Sequence, residues 1–171
     1  MTEEYDFTVS APQCAARLAA ILAQRQTDRV VFAESCTSGL VAALLGQIPG
    51  ISNWLCGSAV TYRESVKQSW ISVSAETLRQ FSAESIETTC EMAIGVLERT
   101  AEASYSAAVT GHLGPDVQDG SDGKIFISIA RRDGEGLEIV QTQVVQLEST
   151  TRVQRQFESA QAVLARLIEE L

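Results

Sequence analysis

The chain has 171 residues, of which 45% are hydrophobic and 20% charged, and its formal net charge is −9. This length fits one domain with its own core, and the composition is ordinary for a soluble globular protein. The negative charge argues against a nucleic acid held through its phosphates, and no apolar run approaches the ~20 residues that span a bilayer.

The N-terminal residues 1–6 are acidic and lack the basic and apolar regions of a secretion signal, so we expect a cytoplasmic protein. We assign 1–10 to an N-terminal tail and 11–171 to a single domain. The cysteines form no C-x-x-C pair and the chain has one histidine, so a zinc site is poorly supported and free thiols are expected.

Hydrophobic periodicity predicts alternating helices and strands. The predicted helices are 11–25, 37–47, 63–70, 75–80, 83–101 and 150–171. The predicted strands are 29–34, 58–62, 104–110, 124–130 and 137–147, with a turn at 133–136 that joins the last two into a hairpin. Ser74 and Ser82 are the expected N-caps of the fourth and fifth helices. We therefore predict an α/β fold, a three-layer α/β/α sandwich with a mixed, mostly parallel sheet and a C-terminal hairpin at or near its edge.

The segment 29–45 carries the strongest indication of chemistry. A buried strand that runs directly into a helix places four residues at the helix start, where unpaired N–H groups and the helix dipole stabilise anions and developing oxyanions. These residues are Glu34, Ser35, Cys36 and Thr37. A hydroxyl and a thiol stand side by side, so Ser35 is a candidate nucleophile and Cys36 a minor variant. The alternative is that Ser35 or Thr37 only caps the helix.

Ligand sites in sheets of this kind lie outside the carboxyl ends of the strands. Three segments are expected to meet there: residues 34–37, the segment from Tyr62 onward, and the segment from Thr110 and Gly111 onward. The acidic loop 116–123 is either a solvated connection or a lid.

Lys67 is notable because eleven of the 13 basic residues are arginines, and Lys124 is the only other lysine. A desolvated amine can lose its proton near neutral pH, whereas a guanidinium cannot. A helix that starts just after Tyr62 would carry Lys67 near the strand end, and a hydroxyl nucleophile with a neutral lysine as its base is a known amidase arrangement. The alternative is an exposed surface lysine.

Five sequence features follow one another in a specific order and spacing. They are Ala33-Glu34-Ser35-Cys36-Thr37-Ser38-Gly39, Pro49-Gly50, Val60-Thr61-Tyr62 with Lys67, Ala108-Val109-Thr110-Gly111 with Gly114-Pro115, and Arg152 with Arg155. Over about 11–171 the chain resembles the CinA C-terminal domain family, in a stand-alone form without the larger N-terminal domain of some members. The family's enzymes are nicotinamide-nucleotide amidases, which convert nicotinamide mononucleotide and water to nicotinic acid mononucleotide and ammonia.

The resemblance implies that Ser35 is the nucleophile, that Lys67 is the general base, and that Tyr62 relays the proton or orients the lysine. Backbone N–H groups near Cys36 and Thr37 would hold the oxyanion. The implied substrate-binding residues are Glu34, Cys36, Thr37, Ser38, Gly39, Thr110, Gly111, Gly114, Arg152 and Arg155, with one of the two arginines on the 5′-phosphate.

The implied reaction needs no metal and no cofactor. Its expected partner is a small-molecule pyridine mononucleotide, with no nucleic acid and no membrane, and single-domain enzymes of this size often form homo-oligomers. The alternatives are a non-catalytic or regulatory nucleotide-binding domain of the same fold, or a related enzyme that acts on another amide.

The chain also departs from the family pattern. Ser38 stands where the family has the first glycine of a pair, so its Cβ could crowd the nucleophile turn. The three aspartates within 116–124 would repel a phosphate unless they point away. His112 and Leu113 replace a small apolar pair, and His112 is either a polar substrate contact or a loop histidine satisfied by the backbone.

Overall fold

The computed structural model of the protein describes residues 7–115, 117, 120–134 and 136–171, with backbone alone at 7–9. Its helices are α1 (Phe7–Arg25), α2 (Leu40–Gly46), α3 (Glu64–Ile71), α4 (Ala75–Phe81), α5 (Ile86–Glu98) and α6 (Arg152–Glu170), and a short 3₁₀ helix spans Ile51–Asn53. Its strands are β1 (Val30–Glu34), β2 (Leu55–Val60), β3 (Tyr105–Gly111), β4 (Lys124–Asp133) and β5 (Gly136–Gln146). No helix in these ranges is long and apolar enough to cross a membrane.

The strands form one sheet in the order β2-β1-β3-β4-β5. β1 pairs in parallel with both β2 and β3, whereas β4 pairs antiparallel with both β3 and β5. The predicted α/β class with a mixed sheet is confirmed, and of the described strands β4 runs opposite to the other four. The described residues between β3 and β4 contain no helix, and antiparallel neighbours need no crossover helix.

Apolar side chains are buried on both faces of the sheet. Val30 and Phe32 join a cluster with residues of α1, α2 and α6, whereas Val31 and Ala33 join a second cluster with residues of α5. This alternation follows from the two-residue period of a strand. Every residue of β1 is buried, and a side chain such as Phe32 contributes roughly 1.5–3 kcal/mol on burial. The packing therefore holds the carboxyl end of β1 in a defined position.

The starts of α1, α2 and α5 differ from the sequence prediction by three or four residues. α1 begins at Phe7, so residues 7–10, which were assigned to the tail, are helical. α2 begins only at Leu40, so residues 35–39 form a turn between strand and helix instead of the first helical turn. The candidate nucleophile therefore lies on a tight turn and not on the helix itself.

The caps of α4 and α5 were predicted with mixed success. Ser74 is the N-cap of α4, as expected, and its hydroxyl oxygen accepts hydrogen bonds from two backbone N–H groups of that helix. The N-cap of α5 is Ser85 and not Ser82, because Ser82 adopts a φ of +72° and ends α4. The connection between the two helices therefore includes residues 82–85, which the prediction had placed mostly within the helix.

Candidate active site

Ser35 and Lys67 lie side by side. Lys67 Nζ lies 3.0 Å from Ser35 Oγ and donates a hydrogen bond to the Thr61 carbonyl oxygen at 2.8 Å. Lys67 is 0% exposed and Ser35 is 5% exposed. The two residues meet because Ser35 follows β1 and Lys67 lies on α3, which follows the parallel neighbour β2. The alternative of an exposed surface lysine is therefore wrong.

The protonation of Lys67 is set by its surroundings. Burial lowers the pKa of Lys67, because removal from water disfavours the ammonium form. The negative charges of Glu84 and Glu64 act in the opposite direction and raise that pKa. A neutral amine can donate one hydrogen to the Thr61 carbonyl and still offer its lone pair to the Ser35 hydroxyl. The arrangement can therefore remove a proton from Ser35.

The turn that carries Ser35 is held by backbone hydrogen bonds. The Ser35 N–H donates to the Val109 carbonyl at 3.1 Å, and the Ser38 N–H donates to the Ser35 carbonyl at 3.1 Å. Ser38 is exposed and adopts a φ of +54°, in the left-handed region that favours glycine. Gly39 occupies the N-cap position of α2. Neither Ser35 nor Thr37 is therefore the cap of this helix, and the cap-only alternative is wrong.

Glu34 serves α2 and lies outside the cavity lining. Its buried carboxylate accepts four hydrogen bonds, from the Thr37 hydroxyl at 2.8 Å and, at 3.0 Å each, from the Val41 N–H, the Ala42 N–H and the Ser58 hydroxyl. A carboxylate thus occupies the positive helix end that the sequence analysis had assigned to a developing oxyanion. The geometry therefore gives Glu34 and Thr37 contacts with the protein itself and none with the cavity.

Two backbone N–H groups in the turn stay available. Within the ranges that the structure describes, the N–H groups of Cys36 and Thr37 donate to no oxygen atom. Cys36 itself is buried, and this burial raises the pKa of its thiol to about 12. The thiol is therefore protonated at neutral pH, which argues against Cys36 as the nucleophile.

A cavity of about 290 Å³ opens beside Ser35. Its lining consists of Ser35, Cys36, Tyr62, Glu84, Gly111, His112, Leu113, Gly114, Pro115, Val117 and Arg152. The volume lies near the lower end of small-molecule pockets, ~300 Å³. The segments that follow β1, β2 and β3 all contribute, as the strand topology predicted for the carboxyl edge of the sheet.

The two candidate arginines lie one turn apart on α6 and differ in their surroundings. Arg152 lines the cavity and donates to the Tyr62 hydroxyl oxygen at 2.9 Å and to the Gly114 carbonyl at 2.7 Å. Arg155 is 9% exposed and forms a bidentate ion pair with Asp122 at 2.8 and 3.0 Å. The arginine beside Asp122 lowers the pKa of that carboxyl. Arg152 is therefore the arginine that faces the cavity.

Tyr62 is placed at the cavity but not against the lysine. Its side chain is 54% exposed, and among the described residues its hydroxyl has a hydrogen bond with Arg152 and none with Lys67. The group that orients Lys67 is the Thr61 carbonyl, which the sequence analysis did not identify. A backbone carbonyl has no side-chain signature, so only its distance from Nζ could reveal it.

The Thr-Gly segment divides into one structural residue and one lining residue. Thr110 is fully buried, and its hydroxyl lies 2.8 Å from the Thr89 hydroxyl on α5 instead of lining the cavity. Gly111 lines the cavity, and a Cβ at this position would lie 2.5 Å from the Lys124 carbonyl oxygen. At Gly114, a Cβ would overlap the Asp122 carboxylate. These glycines let the segment run close to its neighbours.

Two ionisable lining residues lie outside the predicted set. His112 lines the cavity while its backbone is held, since its N–H donates to the Lys124 carbonyl at 2.9 Å and its carbonyl accepts from the Gly123 N–H at 2.8 Å. These main-chain bonds do not involve the imidazole, so its part as a substrate contact or as a side chain satisfied by the backbone stays a prediction. Glu84 also lines the cavity, and no motif pointed to it. Its position depends on how the connection between α4 and α5 folds back toward β1.

The acidic loop is described in part. Asp116 and Asp119 fall outside the described residues, and Asp122 is paired with Arg155 and does not line the cavity. Across the described ranges, no cluster of three or more His, Cys, Asp or Glu residues could hold a metal ion.

Known proteins are similar to this chain in sequence and in fold. A family model for the CinA C-terminal domain matches residues 12–171. The nicotinamide-nucleotide amidohydrolase PncC of Escherichia coli (strain K12) is 40% identical over 112 residues, which are 63% of this chain and 66% of that protein. A CinA-like protein of Synechococcus elongatus is 38% identical over 122 residues, 68% of this chain but only 29% of that protein. The crystal structure of the competence/damage inducible protein CihA from Agrobacterium tumefaciens matches with a TM-score of 0.85 and 28% identity, and covers 93% of this chain and 94% of that chain.

Proposed function

This chain belongs to the CinA C-terminal domain family, and we propose that it is an amidohydrolase that converts nicotinamide mononucleotide and water to nicotinic acid mononucleotide and ammonia. The observation that carries the proposal is the buried amine of Lys67, 3.0 Å from the hydroxyl oxygen of Ser35, which lines the cavity. The name of the E. coli relative, a nicotinamide-nucleotide amidohydrolase, supports the substrate class.

In the first half of the proposed reaction, Ser35 Oγ forms a bond to the carboxamide carbon while neutral Lys67 takes the hydroxyl proton. The carboxamide oxygen becomes an oxyanion, which the available N–H groups of Cys36 and Thr37 would stabilise. The carbon–nitrogen bond then breaks, and Lys67 returns the proton to the leaving ammonia. An acyl ester on Ser35 remains.

In the second half, a water molecule replaces ammonia. Lys67 removes a proton from the water, the hydroxyl oxygen attacks the ester carbon, and Ser35 leaves and regains the proton from Lys67. The product is the carboxylic acid. The same base therefore serves both halves, which fits a site where Nζ has the Thr61 carbonyl and Ser35 Oγ as its partners.

Arg152 is proposed to bind the 5′-phosphate. Its guanidinium lines the cavity and donates to the Tyr62 hydroxyl and the Gly114 carbonyl, both neutral acceptors. A guanidinium with no carboxylate partner among the described residues can bind a phosphate by two parallel hydrogen bonds. Tyr62 is then proposed to position Arg152, and its part in proton transfer stays a prediction.

Ammonia release from nicotinamide mononucleotide tests the proposal directly. We expect the unmodified protein to release ammonia and Ser35→Ala to lose at least ~10³-fold in kcat, because the nucleophile is gone. Cys36→Ala is the matched neighbour and is expected to keep at least about a tenth of the activity, since its thiol is protonated at neutral pH.

Two other outcomes would redirect the assignment. Saturable binding of the mononucleotide without ammonia release would support the non-catalytic alternative and overturn the hydrolase. Release from another pyridine nucleotide or from a simple amide, but not from nicotinamide mononucleotide, would keep the Ser35–Lys67 chemistry and change the substrate. A panel of such amides should therefore be assayed together.

A further inference from the structure

Glu84 is a lining residue of the cavity that the proposed reaction leaves without a role. It lies in the connection between α4 and α5, between two buried residues, Ala83 and Ser85. The Ser82 hydroxyl donates to the Glu84 carbonyl at 3.3 Å, and Ser85 caps α5 through the Thr88 N–H. The backbone of this connection is thus held on both sides, and Glu84 is presented to the cavity.

The carboxylate of Glu84 has no hydrogen-bond partner among the described residues. This contrasts with Glu34, whose carboxylate accepts four hydrogen bonds and lies outside the cavity. Glu84 lies close enough to the reaction centre for its negative charge to raise the pKa of both Lys67 and Cys36. A negative group that faces a cavity beside the nucleophile, without a cation bound to it, favours a ligand with positive charge at that end.

The proposed substrate carries such a charge. In nicotinamide mononucleotide the pyridinium nitrogen is two bonds from the ring carbon that bears the carboxamide. A carboxamide carbon held at Ser35 Oγ therefore brings a positive ring into the cavity that Glu84 lines, while Arg152, which lines the same cavity, is available for the phosphate. The cavity thus pairs an acidic group and a basic group with the two opposite charges of one ligand.

We propose that Glu84 is a specificity-determining residue that selects amides carried on a cationic ring over the same amides on an uncharged ring. This inference rests on the proposed function, because it assumes that the carboxamide is held at Ser35. It assigns no chemical step to Glu84. The residue acts by its charge on the bound ligand, and an uncharged ring leaves that charge without a counterpart.

A binding comparison in the absence of turnover tests this selection. Ser35→Ala protein is titrated calorimetrically with nicotinamide mononucleotide and with its reduced form, whose dihydropyridine ring is uncharged but whose carboxamide, ribose and phosphate are the same. We expect the oxidised ligand to bind at least about tenfold more tightly, as attraction between unit charges in a partly shielded cavity allows. In Ser35→Ala/Glu84→Gln the ratio should fall below about threefold through weaker binding of the oxidised ligand.

Glu87→Gln in the same background is the matched control. Glu87 is an exposed carboxylate on the first turn of α5 and does not line the cavity, so its replacement should leave the ratio of affinities unchanged. If Glu84→Gln lowers the affinity for both ligands equally, the carboxylate contacts the ribose or has a general structural role. That result would overturn the inference. A ratio of the two affinities that Glu84→Gln does not change would also overturn the inference. The same holds if the Ser35→Ala protein binds neither ligand.

Hydrolysis by the unmodified protein, measured in parallel, separates this inference from the proposed function. If ammonia is released but the ratio does not respond to Glu84→Gln, the inference about Glu84 is wrong and the hydrolase stands. If no ammonia is released but the ratio responds as described, the selection by Glu84 stands and the hydrolase is wrong.

Discussion

Two groups of polar residues near the cavity differ in their partners. We call the buried residues Ser35, Glu34 and Lys67 the floor, of which only Ser35 lines the cavity, and we call the lining residues Tyr62, Glu84 and Arg152 the rim. On the floor, the carboxylate of Glu34 accepts four hydrogen bonds and the Lys67 amine has two partners, all within the protein. The rim residues line the cavity and have few internal partners.

This contrast separates the polar groups that build the site from the polar groups that are left for a ligand. A buried polar group must be paired inside the protein, because its partners in water are lost on folding. A polar group on the rim keeps water until a ligand replaces it. Changes on the floor should therefore affect stability or the chemical step, and changes on the rim should affect ligand affinity.

The largest expected effect is on the chemical step at the floor. Lys67→Met keeps a long apolar stem in the buried position and removes the base, so kcat should fall by at least ~10³-fold, while the fold is retained because a buried amine has been replaced by an apolar group. Ammonia release and a thermal melt measure the two effects. Lys67→Arg should be equally inactive, since a guanidinium stays protonated. Activity within about tenfold of the unmodified protein in either variant would remove Lys67 from the proposed mechanism.

A second substitution tests whether the floor also contributes to the stability of the fold. Glu34→Gln leaves one oxygen in place of two and brings an NH₂ group toward the Ala42 N–H or the Val41 N–H, so we expect a loss of about 2–4 kcal/mol in the free energy of unfolding. Urea unfolding followed by circular dichroism measures it. The exposed Glu87→Gln should change stability by less than about 0.5 kcal/mol. A Glu34→Gln protein as stable as the unmodified one would show that the cap is dispensable.

Arg152 and Arg155 lie on the same helix, α6, but Arg152 lines the cavity whereas Arg155 is buried, so their substitution compares the rim with the interior. Arg152→Met should raise KM by about 10- to 100-fold, as expected for loss of a phosphate contact, and leave the melting temperature nearly unchanged. Arg155→Met loses bonds to the Ser149 and Leu113 carbonyls and should lower the melting temperature by at least ~4 °C. Kinetics and differential scanning calorimetry separate the two. The reverse pattern would place the phosphate contact at Arg155.

The smallest effect is expected in the pH dependence of kcat/KM, through the action of the rim residue Glu84 on the floor residue Lys67. Because the neutral amine is the active form, kcat/KM should rise with pH as Lys67 loses its proton, and burial places that rise below the ordinary lysine pKa. Glu84 raises the pKa of Lys67, so Glu84→Gln should move the rise to lower pH. The pH profile of kcat/KM at low substrate concentration measures this. A shift to higher pH, or none, would mean that Glu84 does not act on the free enzyme's base.

Most of the fold and the two central residues of the candidate site could be predicted from the sequence. Patterns of period two and 3.6 predicted the strands and helices, and the scarcity of lysine drew attention to Lys67. Helix starts were less accurate, as at Leu40 and Ile86, because serine can cap a helix or end one, and local sequence does not decide between the two.

Local sequence determined that β1 would be a buried strand, that Ser35 would follow it directly, and that Lys67 would lie soon after the next strand. Tertiary packing brings Nζ and Oγ to 3.0 Å, directs Glu34 toward α2 and places Glu84 at the cavity, and none of these follows from local sequence. The physical reason is that periodicity and capping depend on neighbours within a few residues. Distances and the sharing of hydrogen bonds depend on how segments far apart in the chain pack against one sheet.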